Sequence, residues 1–360
     1  MKAYYYQWLF ITLFFAFSIY CQAQINYTWT GTHSNNWNDS LNWTPKGIPQ
    51  SADDISVSGE NNVLVLDQNR IVSSISIQNS YLDLRGYTLT VTNSSNIRST
   101  QVTTGSLGFA GSLILNGLST KASIYAVCSS VTAQNNRFDS TVYIERIGNS
   151  LNDSWGANTF SQLTTLVQNS PNSTWFLGGN GIEDAFQQDV TFAVKQGSLY
   201  ISHQFPAFFR GSVNLICSGD GITVGDSIPI VPRILYLPVK SILTTDFTAG
   251  TLTLNNVKQE GLPLNLQFTG TAKLVINYCD FKEDVMISTA GTDTSTTWVK
   301  INNSSFWQST IINTAKTALS GNNFNVINKN GSQTQIIQTA ISNQNELLNS
   351  NMITGTFIAK

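Results

Sequence analysis

Two groups of carboxylates have the spacing that cation binding or sugar-bond cleavage would need. Asp220 and Asp226 stand close together in a turn that also holds Gly219, Gly221 and Gly225. Such a loop can wrap a hard cation such as Ca2+, which takes oxygen ligands. Asp280, Glu283 and Asp284 form the second group. A glycoside hydrolase places paired carboxylates about the scissile bond, and a lyase adds a Lys or Arg base to a calcium cluster. Neither group recurs at the chain's own repeat spacing, so both also read as solvated turn residues. His33 and His203 are the only histidines and lie far apart in the chain, which gives no metal pair and no nucleophile with its base. No metal site is expected, and Ca2+ at an acidic turn is the one cofactor to weigh.

What must position any such group is a repeat. Phe138, Phe160, Phe186, Phe209, Phe281 and Phe306 recur at near-constant intervals, except for one long gap between Phe209 and Phe281. That gap is three times the interval of the others. Most of these Phe carry the same tail, as in Phe138 to Ile144, Phe186 to Phe192, Phe209 to Leu215 and Phe281 to Ile287. A fixed period of about 24 residues marks a solenoid, whose units bury their apolar faces only by stacking. Around the Phe, apolar and polar residues alternate in short runs such as Ile55-Ser-Val57, Leu113-Ile-Leu115 and Leu252-Thr-Leu254, broken by Gly and Asn turns. Only the weak, Asn-rich stretch from Thr339 to Leu348 hints at a helix. The fold class is therefore all-β, a right-handed parallel β-helix with coils of about 24 residues. The Phe would stack in its interior, with the Val and Ile of each tail beside them. Asp184, Asp280 and Asn323, just before a Phe, suit left-handed turn positions. The interval from Phe209 to Phe281, which includes Gly219 to Asp226 and the Pro-rich stretch to Pro238, breaks the pattern and is the first place to look for a specific site.

Three organisational units follow. Residues 1–23 read as a secretory signal peptide: Lys2, an apolar run from Trp8 to Ile19, and a cleavage site after Cys21-Gln22-Ala23. Residues 24–54 hold Trp29, Trp37 and Trp43, three indoles within a short stretch. A solenoid exposes apolar cross-section and open strand edges at its first coil, and a plug there is the expected use of these rings. An aromatic platform for sugar rings is the alternative. Residues 55–360 form the repeat domain.

Composition narrows the partners. The net charge is −2, which gives no basic patch for nucleic acid. Only 11% of residues are charged, against about 25% in an average domain; Ser, Thr, Asn and Gln take their place, as on exposed β-surfaces outside the cell. After signal removal no stretch approaches the roughly 20 apolar residues of a membrane span. Cys128, Cys217 and Cys279 then remain, an odd number flanked by alternating apolar residues, and read as small buried side chains.

The opening pattern, Trp29-Thr-Gly31, Trp37, Asn42-Trp43, Gly47-Ile-Pro49 and Asp53-Asp54-Ile-Ser-Val57, resembles that of large secreted repeat proteins of outer-membrane bacteria with a gliding-type secretion route. So do the units at Asn158-Thr-Phe160, Gly197 to His203, Phe209-Arg-Gly211 and Phe268-Thr-Gly270. The resemblance spans most of the chain and implies an adhesin-like scaffold. Two departures stand out: the chain is short, and Thr354 to Lys360 is unlike the sorting domain many of them carry. The likeness also implies glycosylation at Asp-Ser followed by an apolar residue or Thr, which points to Ser40, Ser140 and Ser227. The expectation is a non-catalytic, secreted or outer-surface β-helix that meets extracellular glycan or surface proteins. A polysaccharide lyase or glycoside hydrolase working in a groove of the helix is the alternative.

Overall fold

A computed structural model describes residues 23–359 except 61, 151–154, 180–182, 227–232, 237–242, 290–298, 303, 308–309, 315–318, 321–324, 328–332, 339–351 and 355. Residues 1–22 of the expected signal peptide 1–23, Ser227, Asn323 and the stretch from Thr339 to Leu348 thus lie outside the described residues. The chain is a parallel β-helix, and among the described residues there is no α-helix. A coil has a short strand, such as Tyr81–Asp83, and a longer one that either bends in its middle, as Thr88–Arg98 does, or is split in two, as Val213–Cys217 and Gly221–Val224 are. Three faces result: a short face, a leading face before the bend and a trailing face after it.

The bend explains one glycine. At Gly111 the backbone turns with φ of 71°, and a Cβ there would come within 1.7 Å of the Asn93 carbonyl oxygen one coil earlier. Any side chain would force the coils apart. At the next corner, where the trailing face meets the short one, Asn79, Ser99, Asn135, Ala157, Asn256 and Tyr278 all have positive φ. The left-handed residue is thus three places before the ladder position. Asp184 and Asp280 do not fill it: each belongs to a short-face strand.

The phenylalanines do form a column. Thr120, Phe138, Phe160, Phe186 and Phe209 pair in register on the short face. Phe138, Phe160 and Phe186 stack nearly parallel, with centroids 5.0 and 4.7 Å apart. The tails make aliphatic columns beside them: Val142, Thr164, Val190, Val213 and Leu243, and Ile144, Leu166, Phe192 and Leu215. Nearly all are buried, which supplies the main apolar contribution to stability.

Two features differ from the expectation. Upstream of Phe138 the column runs through Leu64, Leu82, Val102 and Thr120, on coils shorter than those that carry Phe. The spacing averages about 21 along the solenoid; the longer period begins at Phe138 and also holds where Leu235 and Gln259 take the place of Phe. Second, the short-face sheet breaks once between Phe209 and Phe281, after the strand Ala207–Phe209, and resumes as a separate sheet at Arg233–Tyr236 that leads to Phe281. Leu235 pairs with Gln259, and Gln259 with Phe281. Gln259 is fully buried, accepts from the Glu283 amide at 3.2 Å and donates to the Leu262 carbonyl. An amide thus replaces a ring in the ladder and satisfies its own polar atoms locally.

Beside the ladder, two places upstream of Phe138, Phe160 and Phe186, runs a buried polar column. The Asn136 amide nitrogen donates to Asn158 Oδ1 at 2.9 Å, and that of Asn158 donates to Asp184 Oδ1 at 3.1 Å. Each asparagine side chain also donates to a carbonyl of the coil before it, Leu115 or Ala133. Burial raises the Asp184 pKa to about 6, against the pull of the Asn158 donors.

Cys128, Cys217 and Cys279 are free and buried. Cys128 and Cys217 share one interior column, with Arg146, Gln168 and Val194 between them. Burial pushes these thiols up, to about 12 for Cys128 and Cys279 and about 11 for Cys217, which leaves them poor nucleophiles.

Candidate ligand-binding face

The three N-terminal indoles face inward. Trp29, Trp37 and Trp43 are 2%, 0% and 1% exposed. Trp43 meets Trp29 and Trp37 edge to face at 4.9 and 5.1 Å and donates its Nε1 hydrogen to the Trp37 carbonyl at 2.8 Å. The strand Asn26–Trp29 pairs parallel with Asp54–Ser58, so the indoles sit against the first coil. No flat ring is offered to a sugar there, which sets the platform reading aside for these residues. Arg70 lies over Trp37 and is held by Asp67 at 2.6 Å.

The carboxylates do not converge. Asp220 and Asp226 sit at opposite ends of the strand Gly221–Val224, at two different corners of one coil. Asp280 is on the outer side of the short face, paired with Lys282 at 2.8 Å and bonded to the Trp307 indole. Glu283 and Asp284 follow in the next turn, where the Asp284 carbonyl oxygen accepts from the Leu264 amide. No cluster of three or more His, Cys, Asp or Glu able to hold a metal occurs among the described residues. His33 binds Asp39 at 2.6 Å in the cap, and hydrogen bonds from His33 and Ser34 hold the Asp39 carboxyl below its usual range. Ser40 and Ser140 are half-buried. Asp139, next to Ser140, is bonded by Arg137 and Ser161 at 3.0 and 2.8 Å.

The exposed aromatic surface lies elsewhere, on the leading face. Alternation puts Ile124, Ala126, Val142 and Ile144 inside, so Tyr125 and Tyr143 project outward. Register places one directly over the other. Their rings stack with centroids 5.0 Å apart and planes 10° from parallel. Tyr125 is 59% exposed. Tyr143 is anchored: its hydroxyl donates to Glu145 Oε2 at 2.5 Å. Glu145 Oε1 accepts from Asn169 at 2.7 Å and from Lys195 at 2.9 Å. Burial opposes ionisation of Glu145, but the bonds from Tyr143, Lys195 and Asn169 outweigh it and keep the carboxyl below its usual range. Burial and the same Glu145 contact raise the Tyr143 hydroxyl, so it stays a proton donor at neutral pH. Side chains from several coils thus fix the lower ring of an exposed stack.

The outer trailing face carries two polar lanes. Asn26, Asp54, Ser74, Ser94, Ser112 and Ser130 are in register, as are Thr28, Ser56, Ser76 and Asn96. The first residues of both lanes, up to Ser94 and Asn96, border a shallow cleft of about 310 Å³. Farther along this face, Phe176, Tyr200 and His203 cluster, with the His203 ring 4.7 Å from Phe176 and 5.7 Å from Tyr200.

The tyrosine pair does not stand out in the sequence, because the Phe ladder runs at a different, longer period. Tyr143 follows Tyr125 at the spacing of the shorter coils. Alignment of Ser-Ile124-Tyr-Ala with Thr-Val142-Tyr-Ile at that spacing would have revealed them. Comparison of the chain with protein-family models, with curated proteins and with solved structures returned no match.

Proposed function

We propose that this protein is a non-catalytic, secreted or surface-exposed β-helix that binds extracellular glycan, in the manner of an adhesin. The observation that carries the reading is the Tyr125–Tyr143 stack, with its exposed upper ring and its anchored lower one. Aromatic rings present a negative face to the polarised C–H groups of a sugar, and a rigid ring loses little entropy on binding. A parallel sheet holds that ring still, since every coil is bonded to two neighbours. The hydroxyl and amide lanes of the trailing face add many weak hydrogen-bonding groups along the same axis. The Trp-x-Gly opening, the leader and the low charge support export and attachment at an outer surface. The test pairs a glycan array with a turnover assay on acidic polysaccharides. Binding without cleavage supports the reading. Cleavage, or no glycan binding at all, contradicts it.

A further inference from the structure

Tyr125 has two ring faces, and only one is covered by Tyr143. The other looks toward the preceding coil. There the outward position in register is Gly108, and one coil earlier it is Thr90. A rung of the outer column is therefore missing. Neighbouring coils are about 4.8 Å apart, so Thr90 and Tyr125 stand about 9.6 Å apart, with only the Gly108 backbone between them. Two van der Waals contacts of about 3.5–4.0 Å each need about 7–8 Å. The gap is wide enough for one ring and too narrow for two. The flanking outward positions on the Gly108 strand are Ser106 and Ala110, and the Ser106 hydroxyl is bonded to that of Ser123 at 2.9 Å.

Nothing in the backbone requires glycine here. Gly108 lies inside the strand Ser106–Asn116 and is not among the glycines of positive φ. A Cβ on it would have three atoms of Thr90 nearest to it, at 3.4, 3.6 and 3.8 Å, which is ordinary contact. Gly111, three places on, is quite different, since its Cβ would overlap backbone. Glycine inside a strand weakens it, and often marks close approach of another group.

We propose that the gap over Gly108 is a slot for one pyranose ring, entered edge-on and stacked on the open face of Tyr125. The sugar's C–H face meets the tyrosine, and its hydroxyls reach the Thr90, Ser106 and Ser123 side chains. This rests on the glycan-binding reading and names the subsite. The chemistry selects a neutral ring, because no charged side chain borders the slot in the Thr90–Gly108–Tyr125 column or at Ser106 and Ala110.

The test is saturation-transfer NMR on the full-length mature protein with cellohexaose, mannohexaose and chitohexaose. Gly108→Thr fills the slot with the residue type that already stands at position 90, and a strand accepts Thr more readily than Gly. Gly108→Ser repeats the test with a smaller side chain should the threonine fold poorly. The expected result is transfer to sugar ring protons in the parent, and at least tenfold weaker binding in a variant whose unfolding midpoint is equal or higher. Equal binding by parent and variants overturns the slot while leaving glycan binding intact. No transfer to any of the three probes at about 10 mM, a Kd range where binding free energy is under about 3 kcal/mol, overturns the slot, and a blank glycan array beside it overturns glycan binding as well.

Discussion

Asn158 donates twice to a single oxygen of Asp184, from its backbone amide at 2.9 Å and its side-chain amide at 3.1 Å. The pair is enclosed in the solenoid, with Asn158 at 0% and Asp184 at 2% exposure. One carboxyl thus ends a column that elsewhere uses amides, and the cost of that choice depends on pH.

Burial raises the Asp184 pKa from 3.8 to about 6. The folded state therefore holds the proton more tightly than the unfolded chain. The benefit is complete below about pH 4, is lost as pH rises toward 6, and is absent above it. A rise of that size corresponds to about 3 kcal/mol. Asp184→Asn keeps an acceptor for both Asn158 donors and removes the charge. Urea unfolding between pH 4 and 7.5 should show a smaller loss of stability in the variant, which should be the more stable protein at pH 7. Identical slopes would refute the assignment.

Ser95 sits in an interior column between Ile75 and Leu113. It is 2% exposed, and its hydroxyl has no hydrogen-bond partner among the described residues. A buried hydroxyl without a partner costs about 1–3 kcal/mol. Ser95→Val should raise stability by about 1 kcal/mol or more, read as a higher denaturant midpoint at unchanged slope. A lower midpoint would mean that the column has no room for the added methyl.

Phe160 is the middle ring of the ladder, 5.0 Å from Phe138, 4.7 Å from Phe186 and 6.1 Å from Trp155. Phe160→Ala should cost about 3–5 kcal/mol, and Phe160→Leu much less. Each coil is supported only by its neighbours. Hydrogen exchange should therefore speed up first in the coils of Phe138 and Phe186. Uniform acceleration along the whole chain would argue against a local ladder.

The ladder is legible in the sequence because Phe is large, rare and set in a repeated tail. Its upstream half is hidden, since Leu64, Leu82, Val102 and Thr120 are the same residue types that fill every other interior column. The gap from Phe209 to Phe281 reads as an interruption because Gln259 is polar. Register shows it in the ladder, where local bonds make a buried amide tolerable. Burial of the tryptophans follows from the need to close the first coil. The tyrosine stack does not stand out, because an outward column has no hydrophobic signature. Only register across coils brings Tyr125 over Tyr143.

The most direct measurement is the affinity of Tyr125→Ala for whichever glycan the parent binds, taken together with its unfolding midpoint. Tyr125 projects from the sheet and contributes little to the interior, so stability should change by less than about 1 kcal/mol. Binding should fall at least tenfold. A variant that is equally stable and binds glycan as tightly as the parent would contradict the account.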